Sequence, residues 1–160
     1  METLNLILLT LHNITRWALL ILALLVIVRA FRGWFSKTAY QDQDRKFTVM
    51  YSGIFDLQIL LGIILFFTKG WGNALMSGDS SVMSTAAVRF FAVEHWTIML
   101  LAAILVHVGS AQVKKAAEDV KKYRRAAIWF TISLLMVLAA IPWPGMESAR
   151  PLLRLFGLTF

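Results

Sequence analysis

Two of the three histidines in this chain sit inside apolar runs long enough to cross a bilayer: His12 in His12-Asn-Ile-Thr-Arg16-Trp17, and His95 in Arg89-Phe-Phe-Ala-Val-Glu94-His95-Trp96. An imidazole in hydrocarbon is costly, so it is kept where it hydrogen bonds or ligates a metal. Each of these histidines is a candidate partner of the other. Cysteine is absent, which removes disulfides, thiolate metal sites, iron–sulfur clusters and thioether-linked cofactors together. A metal here needs His, Met, Asp or Glu.

The elements that position these residues follow from composition. The chain has 160 residues, 59% hydrophobic, with a mean hydropathy of +0.69, well beyond what a soluble core of this size requires. Four apolar runs, over residues 4–28, 48–67, 88–110 and 126–142, each approach the ~20 residues that span hydrocarbon as a helix. The first run is too long for a secretory signal, has no basic flank before it and no small-residue cleavage pattern after it, so it reads as a retained span. The expected fold is all-α, an integral membrane four-helix bundle in up-down-up-down order, with 1–160 a single membrane domain and connections of about 15–20 residues. Ile141-Pro-Trp-Pro144-Gly145 ends the fourth helix, because proline disfavours helical geometry before it. Residues 143–160 then read as a tail on the outer interface.

The net charge of +7 lies in short connections, which points away from nucleic acid and toward membrane topology. Arg29, Arg32, Lys37, Arg45 and Lys46 follow the first span, and Lys114, Lys115, Lys121, Lys122, Arg124 and Arg125 follow the third. Both connections are therefore expected on the cytoplasmic side, with both termini and the Gly- and Ser-rich 69–85 loop outside.

At 1.5 Å per residue, His12 and His95 both lie ~12 Å below the outer ends of their spans. The first and third helices run parallel and can face each other across a bundle diagonal, on the order of 11–14 Å apart, with room for a flat macrocycle carrying one imidazole on each face. That geometry suits one b-type haem, its iron held by His12 and His95. Arg16, one turn below His12, can reach the same cofactor. The plainer alternative is that each histidine only hydrogen bonds within the bundle. Arg16 and Asp56 are expected at one depth and are read as a buried charge pair, with Gln58 and Tyr51 near enough for a polar contact to a quinone headgroup. His107 is ~18 Å further along the third helix than His95 and ~120° around it, and reads as interfacial. Glu94, ~100° from His95, serves another helix or the headgroup region rather than orienting the imidazole. The methionines are scattered at core-like spacing and read as packing.

These motifs taken together are similar to a family of small four-span bacterial membrane proteins, common in Bacteroidetes and labelled cytochrome-b-like. The resemblance covers most of the length: His12-x-x-x-Arg16-Trp17, Asp44-Arg45-Lys46, Gln58-Ile-Leu-Leu-Gly62, Arg89-Phe-Phe-Ala-Val-Glu94-His95, the basic loop and Ile141-Pro-Trp-Pro144. It implies a four-helix protein of the inner membrane with histidines suited to haem. One departure is Asp56, where the family pattern generally has a histidine two residues before the second-helix glutamine. This bears on how many cofactors the chain binds. His107 is not part of that pattern.

Three function classes follow. The first is a b-type haem protein that passes single electrons to or from a quinone or a redox protein partner; saturated axial positions favour electron transfer over oxygen chemistry. The second is a cofactor-free membrane subunit or scaffold, and the third a small proton-coupled transporter using Arg16, Asp56 and His107. No nucleophile, base and oxyanion arrangement points to a hydrolase or transferase.

Overall fold

The computed structural model describes residues 2–159. Four helices are long and apolar enough to cross a membrane, the makeup of a multi-pass membrane protein: α1 (Glu2–Ser36), α2 (Asp42–Thr68), the rod Ala86–Lys115 and α7 (Asp119–Ala140). Between α2 and the rod lie α3 (Trp71–Met76) and α4 (Ser80–Ser84). The rod is continuous but not uniform. It begins as α5 (Ala86–Arg89), widens into a π-helical turn over Phe90–Glu94, and continues as α6 (His95–Lys115).

Around the bundle the order is α1, α2, α6, α7, so α1 and α6 face each other across one diagonal. Small side chains set the approach of the helices, with Ala23, Ala102, Ala127 and Ala140 fully buried. Leu19, Tyr51, Phe55, Val106 and Phe130 fill the space between them. The opposite faces are apolar and open: Ile21 is 67% exposed and Leu135 60%. Unpartnered apolar faces along every long helix suit a lipid surrounding rather than water.

The connections at the basic end are shorter than the expected 15–20 residues. α1 continues past its apolar run to Ser36 and α6 to Lys115, leaving residues 37–41 and 116–118 as the links. The basic side chains thus decorate helix ends, where Arg, Lys and Ala carry good helix propensity and water can solvate the charges. The 69–85 segment, expected to be irregular, is largely helical. Gly70 ends α2 in a left-handed turn (φ 80°) that a side chain would strain, and Asp79 caps α4 by accepting from the Ser81 amide at 2.9 Å.

The tail also departs from an interfacial position. Residues 141–159 fold back along α1, ending in a two-stranded hairpin, β1 (Arg154–Leu155) with β2 (Leu158–Thr159). The Leu152 carbonyl accepts from Asn13 Nδ2 at 3.4 Å, from Trp17 Nε1 at 2.9 Å and from Arg16 Nη2. Arg154 N donates to Asn13 Oδ1 at 3.2 Å, and Phe156 N to Thr10 Oγ1 at 3.0 Å. Polar side chains on α1 thereby satisfy a strand-like segment that has no sheet to join.

Candidate functional site

At the end of the bundle away from the basic links lies a cavity of about 500 Å³, walled by all four long helices, by α3 and by the tail. Its size falls within the roughly 300–1,000 Å³ typical of organic cofactor sites. His12 and His95 meet there, one from α1 and one from α6, with ring centroids 6.4 Å apart and planes at 64°. Two imidazoles sharing one metal, each with a bond of ~2 Å, place their ring centres about 6 Å apart. No group of three or more His, Cys, Asp or Glu suited to a metal occurs among the described residues. A metal bound by these two rings would therefore take its remaining ligands from groups other than these side chains.

His95 owes its orientation to two proline residues. In a helix the carbonyls of Leu138 and Ala140 would accept from the amides of residues 142 and 144, and both are proline, so neither amide hydrogen exists. Trp143 Nε1 takes the Leu138 carbonyl at 2.8 Å, and His95 Nδ1 lies 2.7 Å from the Ala140 oxygen. A carbonyl only accepts, so in the neutral ring Nδ1 carries the proton and the lone pair resides on Nε2, the form that ligates a metal. The Pro142-Trp-Pro144 spacing, read above only as a helix stop, marks which carbonyls are orphaned but not that His95 takes one of them.

The π turn before His95 is the second positioning device. Its wider turn aligns residues five apart, and Arg89 Nε reaches Glu94 Oε1 at 2.7 Å. Glu94 was expected to serve another helix or the headgroup region; its partner is on its own helix, because the π geometry brings Arg89 onto its face. One extra residue in a turn also rotates everything beyond it by ~100° relative to a regular helix. That rotation sets which seam His95 enters.

His12 is held differently. Gln58 Nε2 lies 3.1 Å from His12 Nε2 and donates to the His12 carbonyl at 3.1 Å, while Gln58 Oε1 accepts from Thr15 Oγ1. With the amide so oriented, His12 Nε2 accepts and Nδ1 carries the proton, buried and without a partner among the described residues. Gly62, one turn along α2 from Gln58, keeps the wall open; a Cβ there would lie 3.4 Å from His12 Cε1.

Charge distinguishes the lining. Arg16, Lys69, Arg150 and Arg154 contribute four cations, and no carboxylate lines the cavity among the described residues. Arg16 Nε is buried without a partner among the described residues. Arg150 stacks over Phe91 at 4.4 Å, and Phe91 stacks on Trp71 at 5.2 Å, so a layer of tail, rod and α3 covers the mouth.

The expected Arg16–Asp56 pair does not form. Thr15 touches Gln58, so the two charges do lie at one level, but Gln58 points inward and Asp56, two residues earlier, is ~200° around α2 and points outward. Arg16 binds the tail carbonyl instead, and Asp56 Oδ1 pairs with His107 Nε2 at 2.7 Å on the outer α2–α6 seam. His107, expected to be interfacial, is therefore the hydrogen-bond partner of Asp56, two turns inside the end of α6. Sequence reasoning missed Arg150 and Arg154, because the fold-back of the tail that brings them to the cavity has no periodic signature. No protein-family model, curated protein or solved structure matches this chain.

Proposed function

We propose that the cavity holds one haem b between His12 and His95, and that the chain passes single electrons between it and a quinone or a redox protein partner. In this reading the protein is a cytochrome-b-like component of a bacterial inner membrane, with both termini on the periplasmic side and the basic links in the cytoplasm. The observation that carries the proposal is the pairing of two imidazoles from diagonal helices at the wall of a large, mainly apolar cavity whose charged lining residues, among those described, are all cationic. A haem held by His12 and His95 would supply a one-electron couple.

The residues fit the group. His95 presents Nε2 with its tautomer fixed by the Ala140 carbonyl. His12 offers a nitrogen after giving up one hydrogen bond to Gln58, an exchange of about 1 kcal/mol. Arg16, Arg150 and Arg154 suit a ligand that carries carboxylates, and guanidinium groups bind those through paired, charge-assisted hydrogen bonds. The apolar wall from Phe55, Phe66, Met99 and Val137 excludes water from the ligand face.

The test is a reduced-minus-oxidised visible spectrum of the detergent-purified protein expressed with haem supply, beside His95→Ala. The expected result is a sharp low-spin α band in the parent that disappears in the variant. A colourless parent, or a band unchanged in the variant, overturns the proposal.

A further inference from the structure

Asp56 and His107 lie on the outside of the bundle, on the α2–α6 seam, with side chains 56% and 52% exposed. Counting ~1.5 Å per residue, Asp56 is ~15 Å from Lys46 and His107 ~12 Å from Lys115, so both belong to the apolar stretch of their helices. Lipid chains offer no hydrogen bonds, and ionisable side chains at such a depth are covered by a polar partner. We propose that this seam is the interface with a second copy of the chain, related by a two-fold axis along the membrane normal.

The chemistry of the pair is self-complementary. Asp56 Oδ1 and His107 Nε2 are used within the chain at 2.7 Å. Hydrocarbon depth favours a pair with no net charge, in which one proton lies between Oδ1 and Nε2 and Nδ1 keeps its own; Asp56 Oδ2 and His107 Nδ1, without a partner among the described residues, then leave one acceptor and one donor side by side. A two-fold axis sets the donor of each copy against the acceptor of the other, twice, as an isologous interface requires. The depth matches without adjustment, because a second copy in the same orientation carries its pair at the same level. Close approach is also provided. Gly53, nearly one turn from Asp56 toward the basic end, is exposed, and a Cβ on it would meet nothing within 4 Å. Ala111, one turn from His107 in the same direction, is exposed too. Small residues beside polar ones are what helix pairs in lipid pack through. Ser52 Oγ and Ser110 Oγ, 2.9 Å apart, tie the two helices together at that level. This inference is independent of the cofactor.

The chain has no cysteine, so a single introduced thiol can join only to its counterpart on another copy. Gly53→Cys, Ala111→Cys and Ile21→Cys, the last on the open face of α1, are reconstituted in phosphatidylethanolamine and phosphatidylglycerol vesicles and oxidised with copper phenanthroline. The first two are expected to run at twice the chain mass on a non-reducing gel, and the third at the monomer mass. Adding Asp56→Asn with His107→Leu to Ala111→Cys should lower the dimer band at least fivefold, with helicity by circular dichroism unchanged. Monomer in all three single variants, equal dimer from Ile21→Cys, or a dimer band indifferent to the double substitution overturns the proposal. So does a monomer that carries one isoprenoid quinone or lipid on the seam.

Discussion

The two ends of the bundle solve the same problem, polar groups inside a membrane-sized protein, in opposite ways. At the basic end Asp44 is buried and fully partnered: Arg29 Nε donates to Oδ1 at 2.7 Å, and Tyr123 Oη and the Gln41 amide donate to Oδ2 at 2.6 and 3.0 Å. Tyr123 Oη also lies 3.1 Å from the Ala39 carbonyl, and its ring packs over Gly33. Only about 10 Å³ of space remains there. At the other end about 500 Å³ remains, with His12 Nδ1 and Arg16 Nε buried and unpartnered among the described residues. A closed network binds helices, whereas open donors beside a cavity suit a ligand that completes them. On the proposed reading, the difference separates the residues that hold the fold from those that would hold a guest.

The sharpest way to break this contrast is Gly62→Phe. It fills the cavity beside His12 and should abolish bound pigment, read by absorbance, while the far-UV spectrum and the unfolding midpoint of the unloaded protein stay the same or rise. The reverse holds for Asp44→Ala at the basic end. Removing the acceptor leaves a buried Tyr123 hydroxyl and an Arg29 guanidinium without it, so stability should fall by ~3 kcal/mol, measured by denaturant titration in detergent, with the absorption maximum of the loaded protein unmoved. Gly33→Ala is expected to be milder. Its Cβ would lie 2.4 Å from the Tyr123 ring, and the ring is fixed by its hydroxyl contacts, so overpacking should cost roughly 1–3 kcal/mol in the same titration. The smallest effect belongs to Arg150→Ala, which should weaken haem binding about fivefold, or ~1 kcal/mol, as partly exposed charge contacts do. With the dimethyl ester of haem the parent and variant should bind equally. A loss that persists with the ester would assign Arg150 to packing on Phe91 instead.

The four helices were legible because hydrophobic length depends on the sequence one run at a time, and the diagonal arrangement of α1 and α6 follows from short links between antiparallel neighbours. His12 and His95 were placed at a common level by counting residues alone. Partner choice was less legible. Asp56 was assigned to Arg16 by depth, yet depth fixes one coordinate and helix phase the other; the two-residue step to Gln58 already set the carboxylate on the opposite face. The π turn at Phe90–Glu94 has no composition signal and shows only once Arg89 and Glu94 meet. The tail was read from its apolar character as lying on a surface, whereas its position is set by Thr10, Asn13, Arg16 and Trp17, more than 130 residues earlier in the chain.

The tail also imposes a sequence of events. Residues 141–159 leave the ribosome after all four spans, and N-terminal segments fold first during synthesis. Leu152 therefore docks on α1, and Arg150 reaches Phe91, only after α1 and the rod are already in place. On the haem reading proposed above, loading of the ligand precedes that docking. Afterwards its escape is governed by how often some ten residues of irregular chain detach, which makes retention a kinetic property of the strap rather than of the pocket alone.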